Sequence, residues 1–303
     1  MDKGVKIFIM NSGNNFIKKF SNNISQNVNL SNYSWFNLGG SAEFFFKPNN
    51  KNQLKEFLIE AKKNNLKTTI LGAGSNTLFR DNGVKGVVIK LGSNFSYTKL
   101  ISKDIIEVGA ATLDRKVANF AKDNYLTNFE FLSCIPGSIG GAVIMNSGCY
   151  ENDISKILLS IQVFDMKDCM EKKVKRGDIK FLYRGTNLSE DLIIISARFK
   201  GLIGKKEQIE KKQFSLVEKK KLSQPNQIKT CGSTFKNINE AKKAWILIKE
   251  AGCENFKEGD ATISKKHCNF FVNNGKAKSS DIEKLIQKVK DTVYAKTGVN
   301  LEL

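Results

Sequence analysis

Leu71-Gly72-Ala73-Gly74-Ser75-Asn76 follows directly on Thr68-Thr69-Ile70, so a β-branched run ends in two glycines and a serine, and this junction decides how the chain is read. Glycines at a strand end let the backbone approach a ligand, and successive N–H groups with a serine hydroxyl make a nest for a diphosphate. The segment lacks the Gly-Lys-Ser/Thr of a Walker loop and the G-x-G-x-x-G spacing of a dinucleotide fingerprint, so alone it fits a tight turn equally well. A second segment, Ile135-Pro136-Gly137-Ser138-Ile139-Gly140-Gly141-Ala142, precedes Met145-Asn146-Ser147-Gly148. Its glycines, proline and small residues describe a loop packed against something flat or anionic, then the entry to a short helix.

Outward from these loops, Leu54, Phe57, Leu58 and Ala61 recur at helical spacing, and Gly86 to Leu91 and Ile105 to Val108 read as strands beyond a turn at Asp81-Asn82-Gly83. Leu113 to Asp123 reads as a helix, and the alternation predicts sheets covered by helices. Ile157 to Phe164 and Leu192 to Phe199 predict a mainly antiparallel sheet. Lys205 to Lys221 predicts a helix with Ile209, Leu216 and Val217 on one side, ended near Gln224-Pro225. Beyond it, Ala241 to Ala251, a strand over Asn269 to Val272 and a helix from Ser280 to Lys296 predict a separate α+β unit. A Ser280-to-Glu283 capping box should open that last helix and Gly298 close it. The expected organisation is a polar, Asn-rich lead over 1–30, a domain of two α/β subdomains over 31–204, and a C-terminal domain over 205–303.

The 303 residues exceed what one small core needs, since cores tend to split beyond roughly 250 residues. A net charge of +19 suggests nucleic acid at first sight, but it is nearly all lysine, scattered among Asn, Glu and Asp without an Arg-rich stripe. That pattern reads as a solvated surface, and a positive field also suits phosphate-bearing small ligands, so no nucleic-acid partner is expected. Six cysteines without a C-x-x-C pair, and His267 as the only histidine, support neither a zinc site nor a His-based triad; no metal is expected. Cys231 reads as a small packing residue beside a turn. The apolar run Val5 to Met10 is too short for a secretory h-region and no run of about 18 apolar residues occurs, which predicts a cytoplasmic chain with no membrane partner.

Together the two glycine segments resemble the FAD-pyrophosphate loops of the flavin domain found in vanillyl-alcohol oxidase and the MurB family, and Phe36-Asn37-Leu38-Gly39-Gly40-Ser41-Ala42 is similar to a MurB segment. Tyr183-Arg184 resembles that family's Tyr-Arg motif, although Gly185 to Leu188 departs from the Ser and Phe that usually follow. Cys231-Gly232-Ser233-Thr234-Phe235-Lys236-Asn237 is similar to its Gly-Ser-x-Phe-Lys-Asn motif. Ala244-Trp245, Ala251-Gly252, Ser264 to Phe270 and Val272-Asn273 resemble its substrate domain.

The resemblance implies an α+β fold: a two-part flavin-binding domain of the vanillyl-alcohol oxidase (PCMH) type, plus a C-terminal α+β substrate domain. It implies non-covalent FAD held by Gly72, Ala73, Gly74, Ser75, Asn76, Pro136, Gly137, Ser138, Gly140 and Gly141, with NADPH as co-substrate. Ser233 would be the proton donor and Arg184 the catalytic cation, with Tyr183, Lys236 and Asn237 binding a UDP-sugar. The implied reaction is reduction of UDP-N-acetylglucosamine enolpyruvate to UDP-N-acetylmuramate by a monomer. The family's catalytic glutamate lies two residues after the first Glu of a Leu-Glu-x-Glu ending; here Leu301-Glu302-Leu303 places Glu302 at that first, non-catalytic position. The short stretch from Arg184 to Ser233 resembles the subtype without a substrate-covering tyrosine loop. Two other functions are compatible with parts of the chain: an FAD-dependent alcohol or sugar oxidase on the same flavin domain, against which Ser233, Lys236 and Asn237 argue, and a basic nucleic-acid-binding protein.

Overall fold

The computed structural model describes residues 16–239 and 242–303; the run Val5 to Met10 and Ala241 lie outside them. The chain divides into two compact units interleaved in sequence. The first takes the chain to Val28, then Ala42–Gly72 and Lys85–Ile209; the second takes Asn29–Ser41, Ala73–Val84 and Glu210–Leu303.

In the first unit, β1 (Ile24–Asn29), β2 (Ser41–Phe46), β3 (Thr68–Ile70) and β4 (Val84–Ile89) form a sheet of order β1-β2-β4-β3. Helix α1 (Lys51–Lys63) stands between β2 and β3, started by the Asn50 side chain, which accepts from the Gln53 N–H. It buries Leu54, Phe57, Leu58 and Ala61, the four residues that its sequence period predicts, and Phe57 stacks on Phe46 at 3.8 Å. β3 and β4 are parallel, with Thr68 opposite Val87 and Ile70 opposite Ile89. Parallel neighbours cannot be joined by a hairpin and need a long excursion. That excursion is the segment that begins with Leu71-Gly72-Ala73-Gly74, so strand direction is what throws the glycine loop out of the sheet.

The same unit contains β5 (Thr98–Ser102), β6 (Ile105–Gly109), β7 (Leu158–Asp165), β8 (Met170–Lys175) and β9 (Leu192–Lys200), in the order β8-β7-β9-β6-β5, antiparallel throughout as the β-branched runs predict. β9 is apolar on both faces because the sheet is covered on both. Ile193 and Ile195 join the core under α1, whereas Ile194, Ala197 and Phe199 join a second core with α2 (Asp114–Asp123) and α3 (Ile139–Ile144). The switch of parity between Ile194 and Ala197 has a local cause: Gln162 pairs with Ser196 but Val163 with Ile194, so Ile195 is the extra residue of a bulge.

In the second unit, β10 (Lys257–Glu258), β11 (Ala261–Ile263) and β12 (Phe271–Asn273) form an antiparallel sheet. Its core includes Leu247 and Ile248 of α5 (Ala244–Glu250) and the stripe Ile282, Leu285, Val289, Val293 of α6 (Ser279–Thr297). The expected start of α6 needs correction. Its cap is Lys278, whose N–H donates to Asp281 at 2.8 Å, while the Ser280 N–H donates to Asp81 Oδ2 at 3.0 Å. A serine-glutamate spacing cannot reveal that an aspartate some two hundred residues away has taken the first-turn donors. Gly298 closes α6 as expected, with φ +68°. Helix α4 (Lys206–Ser223) buries Ile209 but only partly covers Leu216 and Val217, and it leaves Phe214 and Leu222 exposed. None of the described helices is long and apolar enough to cross a membrane.

Candidate functional site

The two glycine segments meet in the first unit: a Cβ on Gly72 would lie 3.0 Å from Ser138 Oγ. Ser138 is buried and its backbone bridges Leu113, just before α2, while Pro136 and Gly141 are exposed. A Cβ on Gly141 would meet nothing within 4 Å, so the outer side of this loop is open. Half-buried Lys90, at the end of β4, donates from Nζ to the Gly72 carbonyl. Desolvation, reinforced by the Lys47 charge, holds its ammonium below the usual lysine range. Lys90 was not legible among the lysines of this chain; only the fold brings it to the glycine loop.

Gly137 has a close side-chain neighbour. A Cβ there would lie 2.5 Å from Oδ2 of Asp114, which is fully buried at the start of α2 and whose N–H donates to the Gly137 carbonyl at 3.1 Å. Among the described residues neither Asp114 carboxyl oxygen has a hydrogen-bond partner, and burial pushes this acid well above the usual carboxylate range. The unfolded chain loses this proton near pH 4 while the folded chain keeps it, so the folded state binds more protons and stability falls as pH rises above about 4. Asp114→Asn, which cannot ionise, is therefore expected to melt close to the parent at pH 4 and progressively above it toward pH 8. A gap independent of pH would remove the carboxyl as its cause.

Tyr183 and Arg184 form the two-residue turn of a hairpin in which Phe181 pairs with Thr186 and Leu182 with Gly185. Arg184 is half-buried with φ +62°, a left-handed conformation that costs a non-glycine residue free energy, and its guanidinium lies 5.1 Å from the centroid of the exposed Tyr183 ring. The hairpin is tied to the second glycine segment at both strands. Asn146 Nδ2 donates to the Leu182 carbonyl at 3.1 Å, and Thr186 Oγ1 donates to the Ile144 carbonyl at 3.2 Å. Gly72, Pro136 to Gly141, Tyr183 and Arg184 thus share one framework.

In the second unit, Gly74 is buried with φ +71°, and a Cβ would stand 1.8 Å from the Tyr33 carbonyl oxygen, so no other residue fits. Its own carbonyl accepts the Trp35 N–H at 3.0 Å. Ala73 and Ser75 are half-buried and Asn76 exposed. The Cys231 thiol donates to the carbonyls of Thr77 at 3.4 Å and Gly74 at 3.8 Å, joining this loop to the turn that carries Ser233. Burial pushes the thiol up, which keeps it protonated and a donor. Packing alone therefore understates Cys231. Ser233 is exposed and bridges Phe270, and among the described residues no hydrogen bond engages its hydroxyl. Lys236 donates its N–H to the Glu302 carbonyl at 2.7 Å and its Nζ lies 3.9 Å from the Glu302 carboxylate. Asn237 Oδ1 accepts the Ala244 N–H at 3.1 Å at the start of α5, which leaves its amide for other contacts.

Chemically, the loop over Pro136 to Gly141 offers backbone with little side-chain bulk beside open space at Gly141, which suits an anionic group such as a diphosphate. The model for UDP-N-acetylenolpyruvoylglucosamine reductase, C-terminal domain, matches residues 224–303, and an FAD binding domain model matches 42–169. The chain is similar to UDP-N-acetylenolpyruvoylglucosamine reductases of Pelagibacter ubique, at 46% identity over 94% of this chain and 96% of that one, and of Rickettsia akari, at 41% over 91% and 92%. The crystal structure of UDP-N-acetylenolpyruvylglucosamine reductase (MurB) from Thermus caldophilus superposes with a TM-score of 0.78, at 29% identity over 92% of this chain and 96% of that one.

Proposed function

Because this chain belongs to the UDP-N-acetylenolpyruvoylglucosamine reductase family, we propose that it reduces UDP-N-acetylglucosamine enolpyruvate to UDP-N-acetylmuramate with NADPH and non-covalent FAD, for peptidoglycan precursor synthesis. The observation that supports the reading is the Cys231 thiol, which ties the Gly74 loop to the turn that carries Ser233, the proposed proton donor.

In this reading the backbone of Gly72 to Asn76 and of Pro136 to Gly141 holds the FAD diphosphate. Bound there, FAD would supply the hydride-transfer chemistry between NADPH and the β-carbon of the enolpyruvyl ether. As negative charge grows toward the substrate carboxylate, the Arg184 fork would donate N–H bonds to it, and Ser233 would deliver a proton to the α-carbon. Lys236, Asn237 and Tyr183 bind the UDP-sugar. The flavin domain over 31–204, the substrate domain over 205–303, and cytoplasmic action as a monomer on small molecules alone belong to the same proposal.

The test is the visible spectrum of the purified protein under anaerobic conditions. Flavin bands that bleach with NADPH and return on adding the enolpyruvyl substrate are expected. Bands that return only with oxygen, accompanied by alcohol oxidation, would favour the oxidase, and no bands after adding FAD would overturn the reading.

A further inference from the structure

Among the buried polar side chains that the proposed chemistry leaves unused, Asn269 is the one whose contacts converge on the Ser233 turn. It is 2% exposed. Its Oδ1 accepts the Phe235 N–H and its Nδ2 donates to the Phe235 carbonyl, both at 2.9 Å, so one side-chain amide satisfies both backbone groups of one residue. Its own carbonyl accepts the Thr234 N–H at 2.8 Å, and the next residue, Phe270, bridges Ser233. Residues 233–235 are therefore fixed successively by residues 269–270, as if they were a short added strand.

Asn269 is itself held. Its N–H donates to Nδ1 of His267 at 3.2 Å, which places the His267 proton on Nε2, and the ring packs on Phe270 at 4.9 Å and near Trp245 at 6.2 Å. Desolvation keeps this imidazole below the usual histidine range and so an acceptor at neutral pH. Phe235 stands edge-on to Phe271 at 5.8 Å in the core, which anchors the far side of the turn.

We infer that Asn269 is the positioning residue of Ser233: its amide clamp on Phe235, braced by the His267 ring, sets where the Ser233 hydroxyl stands relative to the substrate carbon that it protonates. The inference rests on Ser233 being the proton donor. The clamp needs a donor and an acceptor on one side chain. Aspartate loses the donor and introduces a buried charge, and leucine, of similar size, loses both contacts and leaves two backbone groups unpaired. A proton donor displaced by about 1 Å loses about 100-fold in rate, which sets the scale of the effect.

Asn269→Leu is to be compared with the parent in anaerobic half-reactions. Expected are NADPH bleaching of bound flavin within about twofold of the parent, recovery of the bands by substrate slowed by about 100-fold, and a larger solvent deuterium isotope effect on that recovery alone. Amide exchange at Thr234 and Phe235 should also accelerate. A merely structural role would slow both half-reactions together and leave the isotope effect unchanged, which would overturn the inference. If the leucine variant fails to fold, Asn269→Asp, which keeps the acceptor for the Phe235 N–H, is read by the same measurements. Ser233→Ala run in parallel separates the two claims. If it recovers its bands at the parental rate, the proton-donor reading falls, and this inference with it. If Ser233→Ala is slow but the Asn269 variants recover normally, the positioning inference alone falls.

Discussion

Ser233→Ala will slow the substrate-dependent recovery of the flavin bands by about 100- to 10,000-fold while NADPH bleaches them at the parental rate, because a positioned general acid is worth that much. The asymmetry is the informative part. Bleaching needs bound cofactor and NADPH but no proton to carbon, so a defect confined to recovery locates Ser233 in the second half of the cycle. The substitution is structurally mild: Ser233 is exposed, no hydrogen bond among the described residues engages its hydroxyl, and Gly232 before it supplies the left-handed turn with φ +85°. Stability should stay within about 0.5 kcal/mol of the parent, as for other exposed sites without special geometry. Rapid-mixing absorbance under anaerobic conditions reads both halves in one experiment. Recovery at the parental rate would remove Ser233 from the reaction, whatever else the fold retains.

What the sequence made legible is local and periodic. Four residues of α1 at helical spacing are its buried face, and the β-branched run Leu192 to Phe199 is a central strand, because both patterns are imposed by burial of consecutive turns or pleats. The glycines of the two candidate loops could be read for the same reason: a backbone that passes within 1.8 Å of a would-be Cβ at Gly74 admits no other residue. What could not be read depends on partners far along the chain. β1 and β2 lie in or beside an Asn-rich stretch whose strand character comes from sheet neighbours rather than from alternation. Asp114 looks like an ordinary first-turn acid, favourable at a helix start, until the fold buries it beside Gly137 with no donor among the described residues. Asn269 sits next to Phe270 in a plain polar-apolar stretch, and its meaning arises only when Phe235, thirty-four residues earlier, turns both backbone groups toward it. Motif residues announce themselves by type, whereas their supports are defined by contact.

Arg184→Gly should separate stability from function in opposite directions. Arg184 occupies the second turn position between Leu182 and Gly185 with φ +62°, where glycine is relaxed and a side chain is not, so the variant is expected to gain about 1 kcal/mol from relief of backbone strain. The gain is reduced by loss of the guanidinium–Tyr183 contact at 5.1 Å, worth about 0.5 kcal/mol at an exposed ring. Turnover should nonetheless fall by about 100- to 1,000-fold, the usual loss when one preorganised group facing developing charge is removed. The hairpin itself should persist, since Asn146 and Thr186 hold its two strands through bonds that do not involve the arginine side chain. Arg184→Lys refines the argument: it keeps the strain and the charge but loses the planar fork, so its rate should lie between the parent and the glycine variant without any gain in melting temperature. A glycine variant that melts higher and turns over normally would show that the left-handed arginine is an accident of the turn. One that melts higher and is nearly inactive would show why the chain tolerates a strained residue there: the left-handed turn aims the guanidinium, and a relaxed backbone has nothing to aim.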